Sequence, residues 1–239
     1  MAALSDQTIL VTGASGGVGE AVARVLAERG ATVCLSGRNE GRLKKIAAQL
    51  PEQRALSYPA DLTVEQELER LVRGILTDHP RLDAIIHCAG IITLDAFATA
   101  AAGDFERQFQ TNVLAPFRLT QLLLPALISA QGQLVFINSS AGLRARGGVS
   151  QYAATKHALK AVADSLREEC NAAGVRVCSL YLGATATPMQ AAVRAHQQRD
   201  YQPDRIIQPD DVAEIIAAIL ALPRTAEVTD VTMRPAAKA

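Results

Sequence analysis

The chain has 239 residues, 49% of them apolar and 20% charged, which is material enough for the core of one open α/β sheet. Lysine plus arginine equals aspartate plus glutamate at 24 each, with no run of like charge, so neither nucleic acid nor an anionic membrane is expected as a partner. Cys34, Cys88, Cys170 and Cys178 show no C-x-x-C spacing and read as reduced core thiols of a cytoplasmic protein, and four scattered histidines give no metal-ligand spacing, so no metal is expected.

Met1–Asp6 passes straight into a strand pattern and leaves no room for a signal peptide. Gln7–Thr12 is a β-branched apolar run ending at Gly13, the pattern of a buried strand meeting a turn. A helix follows from Gly17, with Val18, Val22, Val25 and Leu26 on one face and Gly30 as its stop. Ala31–Ser36 reads as the second strand and Arg54–Tyr58 as a short third. Between them, Leu43, Ile46, Ala47 and Leu50 mark a helix closed by Pro51. Leu68, Leu71, Val72, Ile75 and Leu76 make the next helical stripe, and Leu82–Cys88 the fourth strand.

Asp104 then caps a long helix running through Phe109, Val113 and Phe117 towards Ala130, with a bend expected at Pro116. Its apolar run Leu122–Ala130 is interrupted by Pro125 and is too short to span a bilayer. Gln133–Asn138 is the fifth strand, Ser150–Ala173 a helix, and Val175–Leu182 the sixth strand. Val212, Ile215, Ile216, Ile219 and Leu220 give the last helix, and Val228–Met233 the seventh strand. Pro188–Gln208 is polar and Gln-rich, with Met189, Val193 and Tyr201 on an apolar side. It reads as a substrate lid or as a solvated surface helix. Strand and helix alternate with helix-length crossovers and no hairpin signals. The expectation is a single α/β domain over 1–239, a doubly wound, parallel, seven-stranded sheet of Rossmann type with helices on both faces.

Two stretches carry chemistry. Thr12-Gly13-Ala14-Ser15-Gly16-Gly17-Val18-Gly19 joins the first strand to the first helix. Glycines there let the backbone approach a pyrophosphate, and a helix N-terminus offers free N–H groups and a positive dipole end. The spacing is Gly13-x-x-x-Gly17-x-Gly19 and not G-x-G-x-x-G, since Val22 stands where the last glycine belongs. A tight turn alone would not need so many glycines, and the pattern reads as nucleotide binding. The second stretch holds Tyr152 and Lys156, four apart and hence on one helix face. An ammonium favours phenolate over phenol, so the tyrosine pKa is expected to fall from about 10 towards working pH. Such a phenol can give or take a proton.

With these residues the chain resembles the short-chain dehydrogenase/reductase family, in the branch whose chains are about this long. The resemblance runs from Thr12 to near Pro235. Thr12–Gly19, including Ser15 and Val18, matches the family's TGxxxGxG turn. Asp61-Leu62 is similar to its adenine-contacting pair, and Cys88-Ala89-Gly90 to the end of its NNAG motif. Asn112 matches the helix asparagine, Ser139 the serine thirteen residues before Tyr152, and Gly183 and Thr187 the loop over the nicotinamide amide. The departures are His87 and Cys88 for the two NNAG asparagines, Leu182 for a proline, and Ser140 beside Ser139. His87 reads as a turn residue with a local hydrogen bond.

The resemblance implies a carbonyl–alcohol oxidoreductase in which Tyr152 is the general acid/base and Ser139 hydrogen-bonds the substrate oxygen. Lys156 tunes the tyrosine and holds the ribose hydroxyls, and Asn112 organises a proton relay. The alternative is a non-catalytic dinucleotide-sensing or scaffold protein on the same fold. At the end of the second strand Gly37 stands where an NAD-selective carboxylate would fall, and Arg38 follows at once, so NADP(H) is expected over NAD(H). Apolar residues on more than one face of the Asp104–Ala130 and Ser150–Ala173 helices, with the resemblance, imply a homodimer or homotetramer.

Overall fold

A computed structural model describes residues 4–51 and 54–236; residues 1–3 of the Met1–Asp6 stretch lie outside the described residues. The β-branched runs become seven parallel strands: β1 (Thr8–Thr12), β2 (Thr32–Gly37), β3 (Ala55–Pro59), β4 (Ala84–His87), β5 (Gln133–Ser139), β6 (Arg176–Leu182) and β7 (Asp230–Met233). They form one sheet in the order β3-β2-β1-β4-β5-β6-β7, so the expected doubly wound architecture is the one observed. The order reverses between β1 and β4, where Thr12 pairs with His87, and a sheet of this kind opens a ligand crevice there.

Side chains alternate across the strands and sort into two apolar layers. Ile9, Val11, Val33, Leu35, Ala84 and Ile86 meet helices α1 (Gly17–Glu28) and α2 (Glu40–Ala47), together with the helix Pro209–Leu220. Leu10, Cys34, Ile85, Leu134 and Phe136 meet α3 (Glu65–Asp78) and the two long helical segments that follow β4 and β5.

The segment after β4 departs from expectation. It consists of α4 (Ala102–Phe109), a π-helical turn (Gln110–Leu114) and α5 (Ala115–Ala130). The break therefore precedes Pro116, which occupies the first turn of α5. Proline has no N–H to bond the carbonyl of Asn112 four residues back, so regular α-helical bonding cannot pass through that residue. Instead the Ala115 N–H donates to Gln110, five residues back. Pro125 does not interrupt α5, and the helical run Ala102–Ala130 is long and apolar enough to cross a membrane by length and composition. Its Leu119, Leu123 and Leu127 are fully buried against the sheet.

The remaining helices are α6 (Ser150–Cys170), α7 (Pro188–His196) and α8 (Pro209–Leu220). α7 buries none of its residues, and Met189 and Tyr201 are exposed. The chain beyond it is anchored where Ile207 bridges Thr185 and where Ile206 and Ile207 are buried.

Candidate active site

The C-terminal strand ends bring the predicted residues to one edge. At the turn after β1, Gly13 is left-handed (φ 64°), and a Cβ there would lie 2.8 Å from the Ala89 nitrogen, so only glycine lets the β1 and β4 turns touch. A Cβ on Gly19 would lie 2.3 Å from the Gly13 carbonyl oxygen, so helix α1 starts directly under the turn only because that position is also glycine. The Ala89 N–H donates to the Thr12 hydroxyl at 3.2 Å, locking the two turns together. Thr187 reaches this cradle from beyond β6: its hydroxyl caps α7 by accepting from the Gln190 N–H, and its methyl lies 3.2 Å from the place of a Gly17 Cβ. Gly183 is tied to β7 by its N–H on Met233, at 2.8 Å, and Leu182 is a buried strand residue, so the loop is anchored at its root. These bare backbone surfaces beside a helix N-terminus fit a pyrophosphate.

Tyr152 and Lys156 project from the first turns of α6 towards the end of β5. Lys156 is buried; its Nζ donates to the Ile137 carbonyl at 2.9 Å and stands 5.8 Å from the centre of the Tyr152 ring. A Cβ on Gly90 would lie 3.9 Å from the same Nζ, which places the β4 turn beside the ammonium. Of the two serines, Ser139 is the one that acts on the Tyr152 phenol, drawing its pKa down. Ser140 opens a short 3-10 turn, and the Ser139 hydroxyl accepts from the Ala141 N–H at 3.2 Å.

The expected fall in the tyrosine pKa does not occur in this state. Burial pushes Tyr152 up to about 12, with only the Ser139 hydrogen bond opposing it. Lys156 keeps its charge but directs its Nζ at the Ile137 carbonyl, away from the phenol. Burial pulls the lysine itself down to about 8, against the opposing pull of Cys88. Tyr152 is thus a phenol, equipped to donate a proton, and Lys156 an ammonium held close to neutrality.

Asn112 lies in the π-helical turn, fully buried. Its Nδ2 donates to the Ile91 carbonyl at 2.9 Å and to Thr155 at 3.1 Å, while its Oδ1 accepts the Ile91 N–H at 2.8 Å. Thr155 in turn donates to the Tyr152 carbonyl at 2.8 Å. One helical turn earlier, buried Gln108 repeats the arrangement. Its Oε1 accepts the Thr93 N–H at 3.1 Å, and its Nε2 donates to the Thr93 carbonyl at 3.3 Å and to Gln151 at 3.5 Å. Two carboxamides thus pin the segment after β4 to the residues immediately preceding Tyr152 and Lys156. Sequence reasoning missed Gln108, Gln151 and Thr155. The available signal is their register, since Gln108 and Asn112, and Gln151 and Thr155, are each four apart.

The comparisons with known proteins agree with this geometry. The family model described as short chain dehydrogenase matches residues 7–198. The chain belongs to the short-chain dehydrogenase family. An uncharacterized oxidoreductase of Staphylococcus aureus (strain USA300) is 29% identical over 236 residues, covering 98% of this chain and 100% of that protein. Among solved structures, an alcohol dehydrogenase of the archaeon Thermococcus sibiricus, complexed with 5-hydroxy-NADP, superposes with a TM-score of 0.89 at 25% identity, over 98% of each chain. A short chain dehydrogenase of Shigella flexneri, complexed with NADP, does so with a TM-score of 0.87 at 32% identity, over 96% of this chain and 97% of that one.

Within this short-chain dehydrogenase, Asp61 and Arg38 follow the ends of the paired strands β3 and β2. Burial raises the Asp61 carboxyl, but hydrogen bonds from Thr63 and the charge of Arg38 bring it below its ordinary value. Its side chain is occupied by the turn: Oδ1 accepts from the Thr63 N–H at 2.9 Å and from the Thr63 hydroxyl at 2.7 Å. Leu62 packs against the α3 layer.

His87 is corrected from its expected place in a turn. It is the last residue of β4, buried, stacked on Phe136 at 4.7 Å, with Nε2 2.9 Å from the Thr120 hydroxyl on α5. Its bond is tertiary, not local. Burial pushes the imidazole down to about 3. The folded state therefore holds it neutral while the unfolded chain titrates near 6.5. The associated stability is complete above about 6.5 and is lost as pH falls towards 3, at up to about 1.4 kcal/mol per pH unit. In urea unfolding, His87→Asn is expected to lose less stability than wild type between about pH 7 and pH 5, by up to about 2 kcal/mol. Equal losses in the two proteins would contradict the buried neutral imidazole.

Proposed function

We propose that the protein is an NADP(H)-dependent oxidoreductase that interconverts a ketone or aldehyde and an alcohol. The observation that carries this reading is the meeting of a protonated Tyr152, its Ser139 partner and the buried Lys156 at one sheet edge, beside the glycine cradle. When bound, the nicotinamide supplies or accepts a hydride at the substrate carbon. Gly13, Ser15, Gly17, Val18 and Gly19 hold the pyrophosphate. Asp61 and Leu62 would lie along the adenosine side, Ala89 and Gly90 between the glycine turn and Lys156, and Gly183 and Thr187 along the nicotinamide side.

The chain's own chemistry is proton handling. In reduction Tyr152 donates its phenolic proton to the forming alkoxide, and in oxidation it takes the alcohol proton. The Ser139 hydroxyl donates to the oxygen on which negative charge develops. The Lys156 ammonium favours the phenolate left behind and holds the ribose hydroxyls. Asn112 keeps the α6 residues in register through Thr155. Residues 188–208 form a lid whose apolar side meets the substrate, and the protein acts in the cytoplasm as a homodimer or homotetramer. Exposed Phe105, Phe117, Leu122 and Ile128 on the α4–α5 run supply apolar surface for a second copy.

Preference for NADP(H) rests on Gly37 and Arg38. Gly37 offers no carboxylate to repel a 2′-phosphate, and the exposed Arg38 guanidinium is available to pair with it. The reading is tested by following the loss of reduced-nicotinamide absorbance over a panel of ketones and aldehydes. Turnover with NADPH is expected at a kcat/KM at least about tenfold above that with NADH, as one charged phosphate contact implies. Gly37→Asp with Arg38→Leu is expected to reverse the preference. A Cβ at position 37 would lie 3.2 Å from the Ser15 hydroxyl, a contact that a shift of a few tenths of an ångström relieves. Equal wild-type values for the two cofactors would sink the preference, and no turnover across the panel would sink the activity.

A further inference from the structure

Position 16 of the glycine turn has no side chain, yet the space above it is filled. Arg42, from the first turn of α2, lays its guanidinium there: Nη2, Cζ and Nε lie 3.5, 3.8 and 3.9 Å from where a Gly16 Cβ would stand. We infer that Arg42 is a second determinant of cofactor choice, a guanidinium delivered from α2 to the 2′-phosphate of NADP(H). The inference rests on the NADP(H) reading above and adds to it a residue outside both sequence motifs.

Three features bring Arg42 to that place. Helix α2 begins two residues after Arg38, and the Asn39 side chain caps it by accepting the Arg42 N–H at 2.9 Å. That cap sets Arg42 one turn beyond Arg38, close to the end of β2. The end of β2 touches the glycine turn, because a Cβ on Gly37 would meet the Ser15 hydroxyl at 3.2 Å. Gly37, Ser15 and Gly16 therefore form one small surface, with Arg38 at one margin and the Arg42 guanidinium over the other. A phosphate beside Gly37 would meet two guanidiniums, each capable of paired charge-assisted bonds.

The one charged partner of Arg42 among the described residues is Glu20, in the first turn of α1, at 3.2 Å. The two side chains are 53% and 39% exposed, so the pair is weak and solvent-screened. A phosphate bearing close to two charges competes with one such carboxylate. Glu20 has the opposite influence on the site, since its carboxylate occupies the same Nη2 that lies over Gly16 and disfavours an anion nearby.

Calorimetric titration of NADPH and NADH into the whole protein tests this without any substrate. Arg42→Ala is expected to raise the NADPH Kd by about tenfold, the weight of a single charged contact, and to leave the NADH Kd within about twofold. Gly16→Arg on the Arg42→Ala background is expected to restore NADPH binding. The φ of 167° at Gly16 is extended backbone open to any residue, and removing Arg42 vacates the space. Glu20→Gln alone is expected to tighten NADPH and not NADH. A wild type that binds both cofactors equally would overturn the NADP(H) preference itself. A wild type that discriminates, with a ratio unchanged in Arg42→Ala, would overturn the role of Arg42 and leave the preference standing. Equal weakening of both cofactors in Arg42→Ala would likewise overturn it, as the mark of a damaged turn.

Discussion

Tyr152→Phe is expected to lower turnover by about a hundred- to ten-thousand-fold, the range for loss of a positioned acid or base, while NADPH binds almost as before. The substitution removes one oxygen and keeps the ring that packs at the start of α6. In the proposed mechanism the phenol supplies the proton, and burial holds it protonated by raising it to about 12. Ser139 cannot replace it, because an aliphatic hydroxyl is a far weaker acid. Steady-state rates on a carbonyl substrate found by screening, paired with direct NADPH titration, separate the two quantities. Wild-type turnover in Tyr152→Phe would remove the tyrosine from the mechanism.

The second large effect belongs to Lys156, and it has a pH signature. Lys156→Ala is expected to reduce both turnover and NADPH affinity, since in the proposed mechanism one ammonium serves the phenolate and the ribose. It also strips the Ile137 carbonyl of its donor. Because burial lowers this lysine to about 8, the ammonium is present below that pH and is lost as pH rises through it. The kcat/KM for NADPH, which reports the free enzyme, is therefore expected to fall on an alkaline limb by about tenfold per pH unit. Lys156→Arg keeps its charge across the whole range and is expected to abolish the limb. A limb of the same position in Lys156→Arg would assign it to another group.

The sheet and the glycine turn were legible because their signals are local. Val33 and Leu35 on one face and Cys34 on the other follow from the two-residue period of a strand, and both layers are observed. The choice of Ser139 over Ser140 came instead from the family resemblance, through its thirteen-residue spacing to Tyr152. What the chain did not disclose depends on contacts between distant elements. The position of the helix break is set by hydrogen bonding around Asn112 and Pro116, not by the proline alone. The Tyr152 pKa turns on burial, which no spacing records. His87 finds Thr120 thirty-three residues away, Gln108 reaches Gln151 across forty-three, and Arg42 crosses from α2 to the glycine turn.

The central claim is hydride transfer between a nicotinamide and a carbonyl carbon, with a proton from Tyr152. NADPH dideuterated at C4, mixed with the protein and a carbonyl substrate from the panel, tests it most directly when the product is examined by mass spectrometry. The expected product is an alcohol carrying one deuterium on the carbinol carbon, formed by the wild type and almost absent with Tyr152→Phe. An alcohol without carbon-bound deuterium, or the same labelled alcohol at the same rate from Tyr152→Phe, would contradict the account.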